Sequence, residues 1–148
     1  MTPLDKWRYG QMIKLIIGNE GTGKTRKLLA LANDKVAEAK GDLVYLDKSG
    51  RHMFEINNKI RLIDVSEFSF SSADEFYGFV CGIISQDRDI ETMFFDSFKK
   101  LAKIDVADLA SILTKFDGLS TKYGVDFCMA LSAEESDIPD SFKDSIIK

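Results

Sequence analysis

Eight consecutive residues, Gly18-Asn19-Glu20-Gly21-Thr22-Gly23-Lys24-Thr25, carry the side-chain types that a phosphate-bearing ligand needs, at the spacing G-x-x-x-x-G-K-T. Glycine at 18, 21 and 23 opens backbone angles closed to other residues and lets amides come close to phosphate oxygens. Those amides, with a helix N-terminus near Gly23, form an anion site. Lys24 would reach β- and γ-phosphates, and the Thr25 hydroxyl would ligate Mg2+. A plain glycine turn ahead of a surface helix is the competing reading, and the flanking elements decide between the two.

Those elements follow from hydrophobic periodicity. Residues 12–17, "MIKLII", form a short apolar run that predicts a buried strand directly before the loop. From Gly23 the spacing becomes helical, with Leu28, Leu31, Ala32, Val36 and Ala39 on one face and Gly41 where a C-cap glycine belongs. "LVYLD", ending at Asp47, predicts a second strand, and a short helix is expected around 53–58. A third strand covers 60–65. Ser72-x-x-Glu75 is a capping box opening a helix with Phe76, Phe79, Val80, Ile83 and Ile84 as its stripe. "IETMFFD", ending at Asp96, is the fourth strand. Helix resumes near Phe98, restarts at Asp105 and stops at Gly124, before a fifth strand from Val125. A short terminal helix is expected from Asp140, with Phe142 and Ile146 on one side. Strands alternating with helices predict an α/β fold: one domain, a three-layer sandwich around a mostly parallel five-stranded sheet.

With a strand before it and a helix after it, the stretch Gly18 to Thr25 resembles the Walker A motif of the P-loop NTPase superfamily. That resemblance covers eight residues closely and the rest of the chain only through its α/β pattern. It implies a Walker B strand ending in an aspartate that holds Mg2+. Asp96 is the preferred candidate because its apolar run is longer and bulkier, with Asp47 and Asp64 as competitors. In many such ATPases a glutamate that polarises water follows directly, but Ser97 stands there. Others take the glutamate from the end of a neighbouring strand, a place that Glu67 could fill, with Glu20 in the loop as a second candidate. Ser132, at the end of the fifth strand, is compatible with a γ-phosphate sensor, and Arg51, Arg61 or Arg88 with an arginine finger. His52, in a polar loop, reads as a surface residue. No N-K-x-D element is present, so ATP is preferred to GTP.

The 148 residues, 45% apolar and 30% charged, suit a soluble globular domain of ordinary size. Residues 1–11, with Trp7 and Tyr9, read as an N-terminal extension ahead of a nucleotide-binding domain over 12–148. The polar start and the lack of an 18-residue apolar run lead us to expect neither a signal peptide nor a membrane span. Two cysteines, Cys81 and Cys128, make no disulfide framework, so a cytoplasmic setting is expected. A net charge of −4 argues against a nucleic-acid partner, although Lys48-Arg51-His52 and Lys59-Arg61 could form a local basic patch. Three functions fit these observations. One is a slow or partner-stimulated Mg-dependent ATPase that works as a switch or assembly subunit, with a protein partner or a second copy. The others are a small-molecule kinase of the nucleoside or nucleotide type and a non-catalytic nucleotide-binding module.

Overall fold

The computed structural model describes residues 12–147, so the N-terminal extension lies outside the described residues. Within them, β1 (Ile13–Gly18), α1 (Lys24–Lys35), β2 (Asp42–Asp47), β3 (Ile60–Asp64), α2 (Ala73–Gln86), β4 (Ile90–Phe95), α3 (Phe98–Ala102), α4 (Leu109–Tyr123) and β5 (Asp126–Ser132) follow one another along the chain. The strands form one five-stranded sheet in the order β1-β5-β4-β2-β3, and every strand pair is parallel.

Helices cover both faces, as a parallel sheet requires. On one face α2, α3 and α4 pack on Leu15, Leu46, Phe95, Phe127 and Met129. On the other, Leu28, Leu31 and Ala32 of α1 meet Ile16, Tyr45, Phe94 and Ala130. Neighbouring strand residues such as Phe94 and Phe95 therefore enter opposite cores. The larger core holds an aromatic cluster in which Phe76, Phe98, Phe116 and Phe127 surround Phe95 at centroid distances of 5.5–6.2 Å. Phe95 and Phe98 flank Asp96 and Ser97, so packing on either side pins that corner of the chain.

Several local expectations changed. Residues 53–58 form turns instead of a helix. The first helix ends at Lys35, and Val36 to Ala39 make turns that still pack on the smaller core. Gly41 is thus no C-cap. A Cβ there would stand 2.3 Å from the Asp89 carbonyl oxygen, so the residue is needed for close backbone approach. Ser72 does cap α2 by accepting from the Glu75 amide at 3.2 Å, whereas the Glu75 carboxylate takes the amide of Ser71 instead of that of Ser72. The C-terminal segment is a 3-10 turn, Asp140–Ser145, after which Ile146 bridges Leu15 and the Ile147 amide donates to the Leu15 carbonyl. That bridge covers the free edge of β1.

Candidate functional site

The carboxyl ends of β1, β5, β4 and β2 converge on one edge of the sheet, where ligands of open α/β folds bind. Gly18 closes β1 and lies in register with Ser132 of β5. A Cβ on Gly18 would come within 2.6 Å of Thr22 Oγ1, so the loop folds back tightly over its own start. Gly21 and Gly23 take left-handed angles, φ 80° and 85°, which a side chain would strain. The Asn19 carbonyl ties the loop together, accepting from Thr22 Oγ1 at 2.6 Å and from Lys24 Nζ at 2.7 Å. Gly23 is the N-cap of α1, which leaves first-turn amides pointing out of the helix end.

Thr25, on that first turn, donates through Oγ1 to Asp96 Oδ1 at 3.0 Å. Asp96 is buried because its amide continues the β4–β2 pairing by donating to the Leu46 carbonyl. Ser97, the next residue, adopts a left-handed φ of 56°, unusual for a non-glycine. A pocket of about 590 Å3 opens over these groups, lined by Glu20, Gly21, Gly23, Lys24, Thr25, Lys48, Asp96, Ser97, Lys99, Lys100 and Ser132. Glu20 reaches across it to Lys100 at 3.4 Å. Partial burial pulls Lys24 below the ordinary ammonium value, against the opposing pull of Glu20 and Asp96.

Glu67 does not join this group. It follows β3, the outer strand, in the 3-10 turn Val65–Glu67, and the pocket is lined without it. Of the two strands beside β4, β5 ends in Ser132 and β2 in Asp47, so the carboxylate at the end of a neighbouring strand is Asp47, which lies beside Asp96 just outside the pocket lining. Asp47 is 1% exposed, and among the described residues neither of its carboxylate oxygens has a partner in hydrogen-bond geometry. The Lys48 and Ser49 amides beside it pull its pKa down, less strongly than burial pushes it up. Burial, reinforced by Asp96, holds that carboxyl above the ordinary range, with His52 pulling the other way. His52 is no isolated surface residue: it, Asp47 and Asp96 bring one ligand atom each within 4.8 Å of one another.

The expected arginines also stand elsewhere. Among the described residues no arginine lines the pocket, and Arg88 lies over the Tyr123 ring at 5.8 Å. Lysines take that place. Lys48 follows β2, and Lys99 and Lys100 lie on the helix just after β4. Lys48 directly follows Asp47, and Lys99 and Lys100 come within four residues of Asp96, which was the available sequence signal.

No family model matches this sequence, and no curated protein matches it in sequence. In structure it is similar to the flagellar accessory protein FlaH from Methanocaldococcus jannaschii, with a TM-score of 0.53 and 16% identity over 93% of this chain and 69% of that one. At that identity the likeness shows the α/β fold alone. Among the described residues no helix is long and apolar enough to cross a membrane.

Proposed function

We propose that this chain binds ATP through the Gly18–Thr25 loop and hydrolyses it slowly or on stimulation by a partner. The observation that carries the reading is the Thr25–Asp96 hydrogen bond of 3.0 Å beneath a glycine loop that caps a helix. It joins a hydroxyl and a carboxylate, hard oxygen donors of the kind Mg2+ prefers, at the pocket that Lys24 enters. Thr25 and Asp96 are the residues that would hold Mg2+, and the ion would neutralise phosphate charge there. The loop amides and Lys24 orient the phosphate chain, while Lys48, Lys99 and Lys100 add positive charge along the wall. For hydrolysis, water adds to the γ-phosphorus, the bond to the β,γ-bridging oxygen breaks, and ADP and phosphate leave. Asp47, which ends the strand paired to β4 and lies beside Asp96 just outside the pocket lining, is the carboxylate we assign to the proton of that water.

A second cavity of about 350 Å3 favours another reading, the small-molecule kinase. Lys48, Ser66, Phe68, Phe70, Lys100 and Lys103 line it, and it shares Lys48 and Lys100 with the first pocket, leaving room for an acceptor.

The test is equilibrium binding of Mg-ATP together with phosphate release, on the full chain and on Lys24→Ala. Binding and turnover that both collapse in the variant support the ATPase. Transfer that appears only with an added acceptor moves the assignment to a kinase. Absence of nucleotide binding in the wild-type chain overturns both.

A further inference from the structure

We infer that Asp47, His52 and Asp96 form a binding site for a divalent first-row transition ion such as Zn2+ in the nucleotide-free chain, sharing Asp96 with the Thr25–Asp96 pair. The inference does not depend on nucleotide binding. Three donors from distant parts of the chain meet here: the end of β2, the turn that follows it and the residue after β4. Their ligand atoms all lie within 4.8 Å of one another. An ion with bonds of about 2.0–2.2 Å sets its ligands roughly 3–3.5 Å apart, so side-chain shifts of about an ångström close the site.

The strongest indication comes from Asp47. Its carboxyl is 1% exposed and, among the described residues, both oxygens lack a side-chain or backbone group in hydrogen-bond geometry, a costly arrangement for a group of this polarity. It faces another carboxylate, on Asp96, which is 3% exposed. A cation between the two removes both the repulsion and the unmet hydrogen-bonding capacity. His52 then decides the type of cation. Mg2+ and Ca2+ select all-oxygen sites, whereas two carboxylates with one imidazole suit Zn2+, Co2+ or Mn2+. The ring also has a supporting partner, since its Nδ1 pairs with Glu55 Oε2 at 2.6 Å, and the ion would be taken through Nε2. A carboxylate behind the imidazole fixes the tautomer and raises its basicity, which is the usual support for a metal-bound histidine.

His52 is the sole histidine of the chain, so imidazole ligation can be assigned without ambiguity. The experiment is titration of the nucleotide-free, chelator-treated full chain with Co2+, read by its visible absorption, and with Zn2+ by calorimetry. The expected result is saturable uptake of one ion per chain and a shift of the histidine resonances on Zn2+ addition. His52→Ala should weaken Zn2+ binding by about tenfold or more, and Glu55→Gln should weaken it measurably. Both side chains are partly exposed, so neither variant threatens the fold. Absence of one-to-one uptake, or equal uptake by His52→Ala, overturns the site. Mg-ATP binding measured on the same His52→Ala sample separates this outcome from failure of the nucleotide reading, because His52 has no part in the phosphate loop.

Discussion

Thr25 Oγ1 and Asp96 Oδ1 meet at 3.0 Å although 71 residues separate them in the chain. One belongs to the first turn of α1, which follows β1, and the other to the residue that prolongs β4, so the bond links the ends of two strands that β5 keeps apart in the sheet. A hydroxyl oriented by a carboxylate offers its lone pairs in a fixed direction, which is what a Mg2+ ligand requires. Thr25→Ala should therefore weaken ATP binding by about tenfold or more in the presence of Mg2+. In EDTA the variant and wild type should bind alike, because the loop amides and Lys24 remain. Calorimetry under the two conditions checks it, and an equal loss in EDTA would mean that Thr25 only shapes the loop.

Two glycines outside the loop separate backbone crowding from backbone freedom. Gly41 has the Asp89 carbonyl where its Cβ would go, and this carbonyl already accepts the Asp42 amide at 2.8 Å. Gly41→Ala should lower stability by about 1–3 kcal/mol through displacement of that strand connection. Gly118, exposed in the middle of α4, has open space around its Cα. Gly118→Ala should raise stability by about 0.5–1 kcal/mol. Urea unfolding of both variants measures the two signs, and nucleotide binding should follow neither.

The glycine loop and the alternation of strands and helices were legible because both depend on neighbours in sequence. A left-handed turn needs glycine wherever it occurs, and a buried strand needs an unbroken apolar run. Strand order has no such local mark. Nothing in "LVYLD" or "RLIDV" says which of the two strands lies beside β4, and that choice moves the nearby carboxylate from Glu67 to Asp47. The same limit hid His52, whose partners at 47 and 96 meet only in the folded sheet. A helix at 53–58 would need an apolar face to bury, yet of its apolar residues Ile56 alone is buried while Met53 and Phe54 face solvent. Gly41 was misread for a related reason: a glycine after a helix suggests a cap, and its crowding by Asp89 is tertiary.

Asp126 gives the stability a pH dependence of known sign. It opens β5 in the middle of the sheet, and burial pushes its carboxyl up to about 6, with Lys35 and Lys14 pulling back. The folded chain therefore holds that proton more tightly than the unfolded chain, whose carboxyl titrates near 3.8. The proton stabilises the fold at low pH, and this contribution is lost as pH rises through the window from about 4 to 6. Asp126→Asn removes the titration. The stability of the variant minus that of wild type should be larger at pH 7 than at pH 4 by about 1–2 kcal/mol, since partial contact with water reduces the full effect. Urea midpoints at the two pH values decide it, and a difference that is flat with pH would place the titration elsewhere.

The order β4-β2-β3 makes opposite claims for the two acids that could serve hydrolysis. Neither lines the pocket, but Asp47 ends the strand paired to β4, one step from Asp96, whereas Glu67 lies beyond the next strand out. If Asp47 takes the proton of the attacking water, Asp47→Asn should lower phosphate release by about a hundredfold or more and leave ATP affinity largely intact. The amide is nearly the same size, and removing a buried charge beside Asp96 relieves repulsion, so the variant should be at least as stable as wild type. That pairing of lost turnover with retained or increased stability distinguishes a chemical role from a structural one. Glu67→Gln should leave turnover and affinity unchanged. Loss of activity in Glu67→Gln with full activity in Asp47→Asn would mean that the turn after β3 moves to the nucleotide during turnover, and it would return the role to Glu67.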